Sequence, residues 1–129
     1  MSVRWYTVVI DCHDIRAQAR WWAEVLDWVV AYEAADEMVI VPRRAMSGQD
    51  IPLDEQGPGL VFIPVPEGKT VKNRLHIDLA PAPDDDHAAE VARLERLGAK
   101  RVDVGQGERR WVVLADPEGN EFCVLTPRD

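Results

Sequence analysis

Cysteine, lysine and long apolar runs are all scarce in this sequence. Two cysteines, Cys12 and Cys123, are too few for a disulfide scaffold, and they stand too far apart for a paired-cysteine metal knuckle. Three lysines stand against twelve arginines, an imbalance that says little about function. Basic residues are outnumbered, 15 against 23 acidic, and the net charge of −8 argues against nucleic acid and anionic membrane as partners. It leaves neutral or cationic small molecules. No apolar run approaches the ~20 residues of a membrane span. Residues 1–10 lack the charged-then-apolar pattern of a secretory leader, so a cytoplasmic location is expected.

What is present reads as a globular chain, 47% hydrophobic and 29% charged over 129 residues. Five of its nine aromatics are tryptophans, four of them within the first 28 residues. Trp5 to Asp11 is β-branched and aromatic and predicts a strand. Asp14 is placed to cap a helix, and Ile15, Ala19, Trp22 and Leu26 recur at helical spacing to about Asp27. Trp28 to Glu33, Glu37 to Val41 and Leu60 to Val65 predict strands. Arg43 to Gly59, with two prolines and three glycines, predicts a long loop of the kind that often forms a lid or is disordered. Leu75 to Leu79 predicts the next strand. A helix follows, starting in Asp84-Asp85-Asp86, carrying Ala88, Val91, Leu94 and Leu97, and stopping at Gly98. Arg101 to Val104, Trp111 to Ala115 and Glu121 to Thr126 predict three more strands, the last two joined by a turn at Asp116–Asn120.

The order strand, helix, three strands thus occurs twice. Thr7 and His76 hold matching places 69 residues apart, and the helices end at Leu26 and Leu97, 71 apart. A period near 70 marks two copies of one unit, about 4–66 and 72–128. Neither has enough core to stand alone, so a single domain made of both is expected. The predicted class is α+β, with two βαβββ repeats forming curved, cup-shaped mixed sheets and one helix packed outside each.

The segments Val8-Val9-Ile10-Asp11-Cys12-His13-Asp14, Trp21-Trp22-Ala23-Glu24-Val25-Leu26, Lys72-Asn-Arg-Leu-His-Ile-Asp-Leu79 and Val113-Leu-Ala-Asp-Pro-Glu-Gly-Asn-Glu-Phe-Cys-Val124 carry a family resemblance. Together they resemble the vicinal oxygen chelate superfamily, which holds glyoxalase I, extradiol dioxygenases, fosfomycin-resistance and bleomycin-resistance proteins. They are most similar to its glyoxalase-like subgroup, common in actinobacteria. The resemblance spans nearly the whole chain and is more specific for fold than for any one reaction. It implies one metal ligand on each of four strands in the metal-dependent members. Carried over, these positions are Thr7 on the first strand, His76 on the fifth and Cys123 on the eighth, while Leu60 to Val65 offers no carboxylate, His or Cys. A stable divalent site wants three or more protein ligands. The expectation is therefore no metal and no cofactor.

Alternation in the fifth strand predicts Arg74, His76 and Asp78 on one face, lining the cup, with Leu75, Ile77 and Leu79 on the other. A polar row of this kind needs a ligand or mutual pairing. Cys123 faces the cup as a candidate nucleophile, though a small buried residue is the commoner role. Glu121 is a candidate base, more often simply solvated. Thr7 and Trp111 complete the expected ligand-binding set, and Trp5 is a further pocket candidate. Asp11 is expected near the rim, His13 and His87 exposed, and Cys12 in the core. One of Trp21 and Trp22 should be buried and the other exposed or in a dimer contact. Three functions are open. The first is a metal-free binding protein holding an apolar or aromatic ligand, cationic ones included. The second is an atypical lyase or isomerase using His76 with Asp78, Glu121 or Cys123 for proton transfer. The third is an interaction module whose cup is filled. A homodimer is expected, as is common in the superfamily.

Overall fold

The computed structural model describes residues 2–48, 50–52, 57–103, 105 and 110–128. The chain divides into two compact units, Met1–Gly68 and Lys69–Asp129. Each builds one helix and one open four-stranded mixed sheet, the α+β class that the two repeats predict.

The first unit runs β1 (Thr7–Cys12), α1 (Ile15–Leu26), β2 (Val29–Glu33), β3 (Met38–Val41) and β4 (Gly59–Pro64). Its sheet order is β1-β4-β3-β2, with β1 parallel to β4 and the other pairs antiparallel. Asp14 caps α1 as its sequence position suggests, its Oδ1 accepting the Ala17 N–H at 3.1 Å. Ile15, Ala19, Trp22 and Val25 then form one buried stripe. This stripe packs on the strands that carry Met38, Ile40, Leu60 and Phe62, all buried. Trp22 is the buried tryptophan of the pair. Trp21 sets its ring edge-on to it, centroids 5.1 Å apart, and is half-buried instead of fully exposed. The helix closes at Asp27 in the left-handed region (φ 55°), where the second helix uses Gly98 (φ 117°).

The second unit repeats the pattern with β5 (Ile77–Leu79), α2 (His87–Leu97), β6 (Lys100–Arg101), β7 (Val112–Ala115) and β8 (Glu121–Val124), in the order β5-β8-β7-β6. β5 is again parallel to β8. Its core takes Val91 and Leu94 from α2 and Leu114, Phe122 and Val124 from the sheet. Among the described residues no helix is long and apolar enough to cross a membrane.

Several expected boundaries move. β5 begins at Ile77, not Leu75, and Leu75 is 88% exposed. The register explains this. Ile77 pairs with Phe122, so residues before His76 would face the Asp116–Asn120 turn, which offers no ladder. The Arg43–Gly59 stretch begins with one turn of 3₁₀ helix, Arg43–Met46, while Gln49 and residues 53–56 lie outside the described residues. Of the strand expected at Arg101 to Val104, only Lys100–Arg101 pairs, and Val104 lies outside the described residues. His87 is half-buried with its Nε2 3.1 Å from the Val124 carbonyl, not exposed.

The turn between β7 and β8 is held by one buried carboxylate. Asp116 Oδ1 accepts the N–H groups of Glu118 and Asn120, each at 3.0 Å, and Gly119 adopts φ +90° to complete it. Replacing Asp116 with Ala strands two donors at a buried site, so Asp116→Ala is expected to cost about 1–3 kcal/mol in urea unfolding. A loss below about 0.5 kcal/mol would show that the turn stands without its carboxylate.

Candidate functional site

The sheet register of the second unit sets the site. Asp78 on β5, Cys123 on β8 and Val113 on β7 are direct neighbours in one row across three strands. They lie on the face opposite Ile77, Phe122 and Leu114. Two residues along each strand, His76, Glu121, Trp111 and Leu125 share that face. Together with Lys72 and Arg128 they line a trough of about 400 Å³.

The same register in the first unit pairs Val9 with Val61 and Val61 with Val39. Superposing the repeats by register, Thr7, Val9, Val61 and Val39 occupy the places of His76, Asp78, Cys123 and Val113. That face also forms a trough, about 410 Å³, rimmed by Trp5 and Tyr6. Its floor is almost wholly valine. The polar row belongs to the second repeat alone.

Within that row the groups satisfy one another. His76 Nε2 lies 3.2 Å from Asp78 Oδ1. Burial pushes the Cys123 thiol above its ordinary pKa, and the Asp78 charge and a hydrogen bond to Asp78 push it further, outweighing the opposing pull of Lys72. The thiol therefore stays protonated at neutral pH and donates to the carboxylate. A reactive cysteine needs a cationic neighbour, and this one has a carboxylate.

Glu121 is neither a poised base nor a solvated surface acid. Its side chain is 11% exposed and pairs with Lys69 Nζ at 2.9 Å, while its second oxygen accepts the Asn73 N–H at 3.2 Å. Burial raises its pKa, but the Lys69 hydrogen bond, the backbone N–H bonds and the Lys69 charge outweigh that and leave it lowered. The pair fastens the segment before β5 to the start of β8.

Of the residues expected to line a site, His76, Asp78, Trp111 and Cys123 do come together in this trough. Arg74 does not join them. It lies in the bend before β5, exposed, because the alternation assumed for it starts only at His76. Thr7 lies in the first unit, and its Oγ1 donates to the Gly59 carbonyl at 3.1 Å. Trp5 is 70% exposed on the first unit's trough. Asp11 and His13 are exposed and Cys12 is buried. Leu125 shares the face of Cys123 and Val113 that of Trp111, as strand alternation predicts, whereas Lys72 and Arg128 lie outside the strands, where periodicity carries no signal.

The doubled βαβββ unit defines the class of fold, and the comparisons agree. The model of the glyoxalase-like domain family matches residues 7–125, and the chain belongs to that family, within the vicinal oxygen chelate superfamily. No curated protein matches the sequence significantly. Among solved structures, the oxidase ChaP-H2 is 19% identical with a TM-score of 0.65, covering 99% of this chain and 96% of its own. The fosfomycin resistance protein FosX from Mesorhizobium loti is 16% identical with a TM-score of 0.66, covering 99% and 94%. FosX from Listeria monocytogenes, in complex with Mn(II) and sulfate, is 12% identical with a TM-score of 0.67, covering 99% and 93%. At these identities the likeness is one of fold.

The superfamily's metal raises the question of fit. Its four positions hold here a threonine committed to a backbone carbonyl, a fourth strand without donor side chains, His76 and Cys123. That set does not fit. Asp78 adds a third donor off the set, and the ligand atoms of His76, Asp78 and Cys123 lie within 4.8 Å of one another. These three sit on two adjacent strands, with the thiol protonated and bonded to the carboxylate.

Two measurements check this electrostatic picture. Glu121 has a lowered folded pKa, so its stabilising contribution is present above the ordinary value of 4.5 and is lost as pH falls through the folded value. Lys69→Met is expected to cost about 1–3 kcal/mol at pH 7 and to flatten the acid limb of the stability–pH curve. An unchanged limb would remove Glu121 from the account. Cys123 should alkylate with iodoacetamide at pH 7 much more slowly than a free thiol, and Asp78→Asn should speed it severalfold. Equal rates in the two proteins would show that Asp78 does not hold the thiol.

Proposed function

We propose that the protein is a small-molecule-binding member of the glyoxalase-like family, and that it holds an apolar or aromatic ligand directly, without the superfamily's metal. The observation that carries the reading is the trough of the second unit, where a polar row sits beside an apolar floor of Trp111, Val113 and Leu125. Trp111 is 37% exposed, open enough for a planar ligand to stack on. The first repeat builds the same sheet with valine in the row, so the fold does not require the polar groups. The superfamily's ligand positions in this sequence favour binding without a metal. The cluster of three donors favours a second reading, a divalent cation held by His76, Asp78 and Cys123.

Catalysis by proton transfer fits the trough less well. Glu121 is neutralised by Lys69 and Cys123 is held as a thiol, which leaves His76 with Asp78. We also propose a homodimer. The physical reason lies less in the Trp21–Trp22 pair than in Val3, Trp5, Tyr6 and Val9, all more than half exposed in the first unit.

Elemental analysis together with titration of a neutral arene tests the main reading. The purified protein should hold far less than one zinc, nickel, iron or manganese per chain. Indole should bind, and Trp111→Ala should weaken it about fivefold or more. One metal per chain, lost in His76→Ala, would replace the metal-free reading with the cation reading. Indole binding that is indifferent to Trp111 would move the site elsewhere.

A further inference from the structure

The charges of the second unit's trough point to the ligand class, on the reading that this trough is the binding face. It is lined by two carboxylates and two cations. One carboxylate, Glu121, is already neutralised by Lys69. The other, Asp78, takes among the described residues the His76 ring and the Cys123 thiol, neither a permanent cation, and its side chain is 48% exposed. Lys72 makes no ion pair among the described residues, and its Nζ donates only to the Asn73 carbonyl at 3.4 Å. Lys72 and Asp78 therefore line one trough without pairing with each other, although both charges act on the same buried thiol. Trp111, Val113 and Leu125 supply the apolar surface beside them.

A carboxylate without a permanent cation and a lysine without a carboxylate, beside an apolar floor, complement a molecule that carries both signs. We propose that the trough binds a zwitterion with an aromatic group, of the aromatic α-amino acid class, its ammonium on Asp78, its carboxylate on Lys72 and its ring on Trp111. The contrast between the repeats supports this. Where the second repeat has His76, Asp78 and Cys123, the first has Thr7, Val9 and Val61 and builds the same ladder. The charge is an addition to the fold, not a requirement of it. The arrangement also narrows the expectation of a cationic ligand, because an amine alone would leave Lys72 facing a second positive charge across the trough.

Isothermal titration of the full chain with four probes sharing one ring tests this: tryptophan, tryptamine, indole-3-propionate and indole. Tryptophan is expected to bind at least tenfold more tightly than any of the other three. Asp78→Asn should abolish its advantage over indole-3-propionate while keeping that over tryptamine. Lys72→Met should do the reverse. Both positions are exposed and off the core, and thermal melts of the variants confirm folding. Indole binding as tightly as tryptophan would overturn the zwitterion while leaving the arene-binding reading intact. Failure of all four probes would overturn both. Loss of the carboxylate advantage in Arg128→Met but not in Lys72→Met would overturn the assigned pair.

Discussion

In each repeat the first strand lies parallel to the last, β1 beside β4 and β5 beside β8, and the rest of the structure depends on that pairing. A parallel pair needs a crossover between its strands. Here the helix and two further strands make up that connection, so one ladder closes the whole unit and fixes which face the helix covers. In the second unit it also places Asp78 directly beside Cys123. A slip of one residue would turn Asp78 toward the helix and Ile77 toward the trough. The buried Asp116 turn and the Lys69–Glu121 pair stand at the start of β8 and hold this register.

Duplication lets the molecule separate folding from chemistry. Both repeats keep the same helix-covered face, with Met38, Ile40, Leu60 and Phe62 in one and Leu114, Phe122 and Val124 in the other. The opposite faces diverge. One is a valine floor rimmed by Trp5 and Tyr6, and the other carries the polar row. Because the helix-facing cores supply the stability, the open faces vary without cost to the ladder. Two of the positions where the superfamily's metal-dependent members carry ligands hold here Thr7 and a donor-free β4, in a sheet that stays intact.

The cysteine chemistry shows how neighbours decide a residue's role. Cys123 is buried beside a carboxylate, and both effects favour the protonated thiol. They outweigh the opposing charge of Lys72 in the same trough. His76 owes its place at the trough to its position one residue before β5, where the chain has just left the bend that exposes Arg74 and Leu75.

The sequence by itself determined the doubled βαβββ order, the helix caps at Asp14 and Gly98, the buried stripe of α1 and the face shared by His76, Asp78 and Cys123. These follow from spacing, since alternation and helical periodicity are local properties of the chain. It placed Arg74 in the row because alternation has no way to know where a ladder begins. That limit came from the partner strand, whose turn at Asp116–Asn120 leaves Leu75 without a neighbour. It left Glu121 as a solvated acid or a candidate base because the counter-charge, Lys69, stands 52 residues away along the chain. Lys72 and Arg128 were invisible for the same reason. The sequence records which charges exist, but whether they neutralise one another is decided by distances through space, and only the tertiary structure sets those.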